Sequence, residues 1–303
     1  MSARRQEGAA LVVAMLVAAI AAAVATTLTI EGVRWQSIVE GRRDHARAVS
    51  LAAAGVQWAR QVLADDAARG PVDHLGEPWA LTLPTTPVDG GSVEGRIDDA
   101  QARLNVNAVG GSDAAAAIAR ARLAHLVART GLDVGIVDAV ADWVDADATT
   151  RERGAEDAAY ARDGGVAANA PMARVGELAA VRGMPPAALA RLAPDVVALP
   201  ADAGVNVNTA NATVLAALLP SLDADAIATI VASRRERPYA SVDDFGTRVA
   251  PGTASVERAG LAVGSRHFIV TVLARQGQAV VTAEALLARG TGRLPTVVWQ
   301  IVD

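Results

Sequence analysis

The sequence predicts an α+β protein: one long N-terminal helix, a small antiparallel sheet, and a large all-α domain inserted into that sheet. Three observations carry this. No proline occurs between Ser2 and Arg69, while apolar residues there recur at helical spacing. Alternating segments lie on both sides of a long middle stretch. That middle stretch, 108–263, reads as short helices broken by Gly, Pro and Asp.

The helix begins in an apolar run. Ala9 to Ile30 carries no charge, long enough to cross a hydrocarbon core of roughly 30 Å. Arg4 and Arg5 precede it, so the positive-inside rule predicts a cytoplasmic N-terminus, with everything beyond Glu31 on the other side. A removable secretory signal has a shorter apolar core, roughly 7–15 residues. Ala21, Ala23 and Ala25 nevertheless offer a signal peptidase small residues, so that alternative stays open. Beyond the run, Trp35, Ile38, Val39, Ala46, Val49, Ala53, Val56 and Leu63 keep helical spacing, and Gly70-Pro71 supplies the stop. The expected rod spans 9–69.

Two segments, 92–98 and 101–106, alternate enough for strands, and 267–275, 279–287 and 296–302 return to that pattern, with "RQGQ" (275–278) as a hairpin turn. The expected layout is a sheet domain of 70–106 and 264–303 around a helical insert of 107–263, with Gly90-Gly91 and Gly264 as joints. The insert repeats internally. "LNVNAV" (104–109) and "VNVNTA" (205–210) match, each followed by an apolar helix, a Leu-Asp turn (Leu132-Asp133, Leu222-Asp223) and a second helix. Asn105, Asn107, Asn206 and Asn208 read as helix caps, because an Asn side chain accepts from the unpaired N–H groups of a helix start.

Composition narrows the chemistry. The net charge of −5 argues against a nucleic-acid partner, whose phosphates require a basic face. Without cysteine, disulfides, thiol catalysis and thiolate metal sites are excluded. The histidines at 45, 74, 125 and 267 match no zinc spacing, and no nucleophile elbow, P-loop or dinucleotide fingerprint appears. No enzyme is expected.

One cluster suits an ion: "DWVDADATTRERGAED" (142–157). Counted from Asp145, oxygen-bearing residues fall at positions one, three, five and twelve (Asp145, Asp147, Thr149, Glu156), the spacing of an EF-hand loop. Thr150 replaces the glycine at position six, and Arg151 and Arg153 add positive charge, so it is not a true EF-hand. Calcium, a hard cation taking six to eight oxygens, is the expected ligand, with Asp145, Asp147, Glu156 and Asp157 as candidates. The competing expectation is a solvated loop whose arginines pair internally.

A short basic leader ending in Gly8, then a long apolar helix running into an amphipathic one, resembles the type IV pilins and type II secretion pseudopilins. The resemblance implies that a prepilin peptidase cuts after Gly8 and leaves Ala9 as a methylated N-terminus. Most members carry a glutamate at mature position five; this chain has Val13. A carboxylate in the bilayer costs about 2.5–3.5 kcal/mol on insertion scales unless compensated, and a subunit with none ahead of it has no amine to neutralise. Its absence is a feature of the general secretion pathway protein K family of minor pseudopilins. "VDHLGEPWA" (72–80), "GGSVEGRIDDAQARLNVN" (90–107), "ADWVDAD" (141–147), "GAEDAAY" (154–160), "ELAAVRGM" (177–184) and "VNVNTANATVLAALL" (205–219) resemble that family in its order.

The resemblance implies a pilin-like helix on a sheet, a SAM-like or helix-hairpin-helix-like repeat in the insert, and a subunit capping a pseudopilus tip during export of folded proteins. It further implies partnership with minor pseudopilins I and J through the N-terminal helix and pilin domain, single-pass placement in the inner membrane with the bulk periplasmic, and calcium in the helical domain. Residues 205–245 also resemble helix-hairpin-helix DNA-binding modules of competence proteins. Those need hairpin glycines, whereas Pro220 to Asp225 has none and brings two carboxylates. No nucleic acid is expected there.

Overall fold

In the computed structural model, residues 3–161, 164–249 and 256–303 are described, with side chains of the N-terminal helix from Ala10 onward. Helix α1 runs Ala3–Ala67 without interruption. Gly8 and Ala9 fall in its opening turns, and their surroundings lie outside the described residues. Every described side chain from Ala10 to Arg43 is exposed. From there Ala48, Ala52, Val56, Ala59 and Leu63 are buried, three or four residues apart, which places them on one helix face. The apolar stripe expected from Trp35 onward therefore divides. Trp35, Ile38 and Val39 face outward, because the sheet reaches only the C-terminal third of the rod.

After α1 come β1 (Leu83–Val88) and β2 (Gly91–Asp99), which pair antiparallel around Asp89-Gly90. Gly90 takes a left-handed φ of +71° in that hairpin, so Gly90-Gly91 is a turn within the sheet rather than a joint between domains. The expected strand at 101–106 is also revised. Asp99 caps a 3-10 turn at Ala100–Ala102, and only Leu104–Asn105 (β3) is extended. Leu104 and Val106 pack in the core of the insert, which thus starts just beyond Asp99.

The insert continues through α2 (Ala114–Arg129), α3 (Ile136–Val144), α4 (Asp157–Tyr160), α5 (Pro186–Leu192) and β4 (Val196–Val197). A second group follows: β5 (Val205–Asn206), α6 (Ala212–Leu218), α7 (Ala224–Glu236), α8 (Val242–Val249) and β6 (Leu261–Ala262). Strands β3 and β4 pair in parallel, as do β5 and β6, so each group is closed by a two-residue ribbon. The chain then returns through β7 (His267–Gln276), β8 (Ala279–Ala288) and β9 (Thr296–Val302).

The five-stranded sheet has the order β1-β2-β7-β8-β9, all antiparallel. Strand alternation explains its two buried faces. Phe268, Val270, Val272 and Ala274 of β7 meet α1, while Ile269 and Leu286 point the other way, onto Val197 and Leu199 of the insert. The insert rejoins the sheet at Gly264, where an added Cβ would lie 2.0 Å from the Pro71 carbonyl oxygen. This contact lies just past the C-terminal end of α1, opposite the apolar span.

Candidate functional site

The acidic segment is built from the end of α3. Asp138 and Asp142, four residues apart, share a face of α3, and Asp145 is the extended residue that ends the helix. Asp142 is fully buried and Asp145 nearly so. Arg151 comes back to them from the loop. Its Nη1 donates to Asp142 Oδ1 at 2.6 Å and to Asp145 Oδ2, and its backbone N–H reaches Asp142 Oδ2 at 3.2 Å. Gly154 lies against the same carboxylate, since an added Cβ would sit 1.8 Å from Asp142 Oδ2. Only a residue without a side chain fits there.

Glu156 follows and is buried, yet neither carboxylate oxygen has a hydrogen-bond partner, and Asp145 Oδ1 has none either. An orphaned buried polar group costs about 1–3 kcal/mol, more when charged. Burial pushes the Glu156 carboxyl upward, and the charges of Asp142, Asp145, Asp147 and Asp157 add to the shift. For Arg151, burial alone would lower the pKa, but hydrogen bonds to Asp145 and Asp142 reverse the sign and hold it charged.

Of the candidate ligands named from sequence, the structure brings Asp145 and Glu156 into this buried patch. Asp147 is exposed, and its Oδ1 accepts from the Thr149 backbone at 2.7 Å, which lowers its pKa. Asp157 Oδ1 accepts from the Ala167 N–H at 2.9 Å, tying α4 to the following loop. The arginines pair internally, as the competing expectation has it, Arg151 with Asp142 and Asp145 and Arg153 with Asp133, while Asp142 is an acidic residue of the patch that the candidate set lacks. The i, i+3 spacing of Asp142 and Asp145 was the available signal. An all-oxygen donor set with three orphaned acceptor atoms fits a hard cation of the calcium class.

A second polar cluster escaped sequence reasoning entirely. Asp99 is buried at the junction of sheet and insert, where its Oδ2 accepts from Ser265 Oγ (2.6 Å), Thr209 Oγ1 (2.6 Å) and Asn206 Nδ2 (3.0 Å). Its Oδ1 accepts from the Gln101 N–H at 2.8 Å. Burial pushes its pKa up to about 6 against these hydrogen bonds. Nothing in the local sequence marks this aspartate, because its side-chain partners come from two distant segments, 206–209 and Ser265.

The Asn pairs do more than cap. Asn105 Oδ1 accepts from Asn107 N at 3.1 Å and Asn206 Oδ1 from Asn208 N at 3.0 Å, as capping residues do. Asn107 and Asn208 instead act as buried cross-links. Asn107 bonds Met172 in both directions and the Leu199 carbonyl, while Asn208 does the same with Tyr239 and the Val263 carbonyl. At the hairpin likened to DNA-binding modules, the Asp223 carboxylate accepts from Ala226 N at 2.8 Å. It thus occupies the helix N-terminus where a phosphate would bind.

By length and composition, α1 has one stretch able to cross a membrane, with a mean hydropathy of 2.5 over its most apolar window and none of that window buried. The family described as Type II secretion system (T2SS), protein K, matches in two parts, over residues 102–201 and 205–264. Type II secretion system protein K of Pseudomonas aeruginosa is 35% identical, covering 88% of this chain and 84% of its own. The protein of the same name from Pectobacterium carotovorum is 31% identical over 93% of this chain and 92% of its own. Among solved structures, a chain in the crystal structure of the GspK-GspI-GspJ complex from the enterotoxigenic Escherichia coli type 2 secretion system superposes with a TM-score of 0.76. It is 24% identical and covers 89% of this chain and 99% of its own. That likeness bears out the long N-terminal helix with an antiparallel sheet, and the sequence matches show the family: the chain belongs to the type II secretion system protein K family of minor pseudopilins.

Proposed function

We propose that this protein caps the tip of the pseudopilus during export of folded proteins across the outer membrane. The place of the insert carries the proposal. It joins the pilin-like part at Pro71, Asp73 and Gly264, past the end of α1 that lies farthest from the apolar span. A subunit held by its N-terminal rod would thus carry this bulk above the others and leave no room for a further subunit. Val13 fits the same role, since a terminal subunit has no amine ahead of it to neutralise.

The remaining expectations follow from that reading. The prepilin peptidase removes residues 1–8 after Gly8 and exposes Ala9. The N-terminus faces the cytoplasm and the bulk lies in the periplasm, anchored once in the inner membrane. The partners are the other minor pseudopilins, I and J, met through α1 and the sheet domain; a homologous fold in a GspK-GspI-GspJ crystal supports this. The insert follows a SAM-like, helix-hairpin-helix-like plan used for packing against protein rather than nucleic acid, and the chain has no enzymatic role. Calcium is held at the end of α3, where Asp142, Asp145 and Glu156 supply carboxylates and Gly154 leaves room for them. Its role is to neutralise that patch.

Processing and incorporation test the proposal. Gly8→Glu should block the scissile bond, leaving a full-length membrane precursor and no secretion. Val13→Glu should slightly weaken insertion and leave incorporation at the tip unchanged. A wild-type protein cut near Ala25, or Val13→Glu subunits spread along filament shafts, would overturn it.

A further inference from the structure

A third acidic cluster lies far from the α3 loop, at the foot of the long helix. Asp66 in the last turn of α1, and Asp73 and Glu77 in the loop that follows, each place one carboxylate oxygen within 4.8 Å of the others. Asp66 and Asp73 are 4% and 3% exposed, and Glu77 is half-buried. Among the described residues, the cation paired with them is Arg289, just beyond β8. Its Nη2 donates to Asp66 Oδ2 at 2.7 Å and its Nη1 to Asp73 Oδ1 at 2.5 Å. Three carboxylates against one guanidinium leave two formal negative charges in a largely dry place.

The unused acceptors match that excess. Asp66 Oδ1 is buried and has no hydrogen-bond partner. Glu77 commits Oε2 to the His74 N–H and to Trp79 Nε1, both at 2.8 Å, while its Oε1 takes no hydrogen bond among the described residues. Burial pushes the Asp66 carboxyl upward, and the charges of Glu77 and Asp73 add to this against the Arg289 hydrogen bond. His74 is turned away, its Nδ1 accepting from Gly76 N at 3.1 Å, so the donors offered are oxygens alone.

We propose that Asp66, Asp73 and Glu77 form a divalent-cation site of their own, taking a hard ion of the calcium class. Oxygen-only donors exclude a preference for softer metals, and irregular carboxylate spacing on a loop suits calcium better than the strict octahedron of magnesium. The ion would bind together the end of α1, the 73–77 loop and the exit of the insert, because Asp73 Oδ2 also accepts from Ser265 N and Asp73 N donates to the Val263 carbonyl. The proposal does not depend on calcium in the α3 loop.

The test uses the full chain in detergent, stripped with chelator, in a Glu156→Gln background that disables the α3 loop. Terbium(III) is the probe, because the Trp79 indole nitrogen lies 2.8 Å from Glu77 Oε2 and would sensitise emission from an ion held there. The expected results are one saturable terbium site, emission lost in Trp79→Phe, and displacement by calcium at much lower concentration than by magnesium. Asp66→Asn and Glu77→Gln should each weaken binding at least tenfold. Absence of a saturable site in the Glu156→Gln chain, or affinity unchanged in Asp66→Asn, overturns the proposal. The first of these measurements needs no variant at the cluster itself. Loss of binding on Glu156→Gln alone would place the only ion in the α3 loop and so refute this site while supporting that one.

Discussion

The two halves of the insert share one skeleton and spend it differently. In the first, β3 opens on Leu104-Asn105-Val106-Asn107 and closes against β4; in the second, β5 opens on Val205-Asn206-Val207-Asn208 and closes against β6. Both place an inner asparagine so that it bonds one residue in both directions, Met172 in the first and Tyr239 in the second. They diverge at the outer asparagine. Asn105 Nδ2 ends on the Pro200 carbonyl, inside its own half, whereas Asn206 Nδ2 reaches out to Asp73, Asp99 and Ser265. Only the first half carries the acidic loop at the end of α3. The two halves thus present matching frames, one of which holds the acidic patch and the other the joint to the sheet.

The strongest way to break this comparison is to remove the inner asparagines. Asn107→Ala and Asn208→Ala each strand buried backbone groups, at about 1–3 kcal/mol per orphaned group. Both should destabilise a chain lacking residues 1–30 by a similar amount, roughly 3–5 kcal/mol in denaturant unfolding. A large inequality between them would show that the frames are not equivalent.

The joint should show itself through pH. Asp99 is pushed up to about 6 in the folded state, from an ordinary 3.8, so the native protein holds a proton that the unfolded chain has lost between those values. Stability from this group is therefore greatest below pH 3.8, falls as pH rises through that window, and is lost above 6, by at most about 3 kcal/mol. Buried His267, whose pKa burial lowers, contributes in the opposite sense by losing stability as pH falls. Asp66, itself raised by burial, adds to the Asp99 trend. Asp99→Asn should flatten the Asp99 part of the profile, while Asn105→Ala in the first half should leave its shape intact.

The acidic patch gives the next effect. Calcium at a hundredfold excess over Kd should stabilise the folded protein by about 2.7 kcal/mol. Glu156→Gln should remove the part of that gain due to this patch, leaving any from the Asp66 cluster, and slightly raise the calcium-free melting temperature, since a buried unpaired charge has gone. The smallest effect concerns the caps. Asp113 Oδ1 accepts from Ala116 N and Asp223 Oδ1 from Ala226 N, both at 2.8 Å. Alanine at either should cost about 1 kcal/mol, equally in the two halves.

Much of this architecture is legible in the sequence because it rests on local rules. The proline-free run and the Gly70-Pro71 stop place α1 to within a few residues of its observed end at Ala67. Period-two patterning finds β7, β8 and β9, and each Asn-Val-Asn motif marks the start of a two-residue parallel ribbon. Local pattern fails where burial is decided by partners far along the chain. The segment 101–106 alternates like a strand but is captured by the core of the insert, and β1, with Pro84 and Pro87, carries too weak a signal for an edge strand.

Sequence by itself therefore determined the long N-terminal helix with its apolar span, the three returning strands, the repeated Asn-Val-Asn motif and the family, since each is written in spacing or motif within a short stretch. Tertiary structure alone decided which carboxylates matter. Asp142, Asp145 and Glu156 become a patch only when the loop after α3 folds back over Gly154. Asp99 becomes a buried joint only when Thr209, Asn206 and Ser265 arrive from the second half and the returning strand. The physical reason is desolvation. A carboxylate in solvent is nearly indifferent to its neighbours, whereas a buried one depends on each donor around it, and those donors are set by the fold rather than by adjacency.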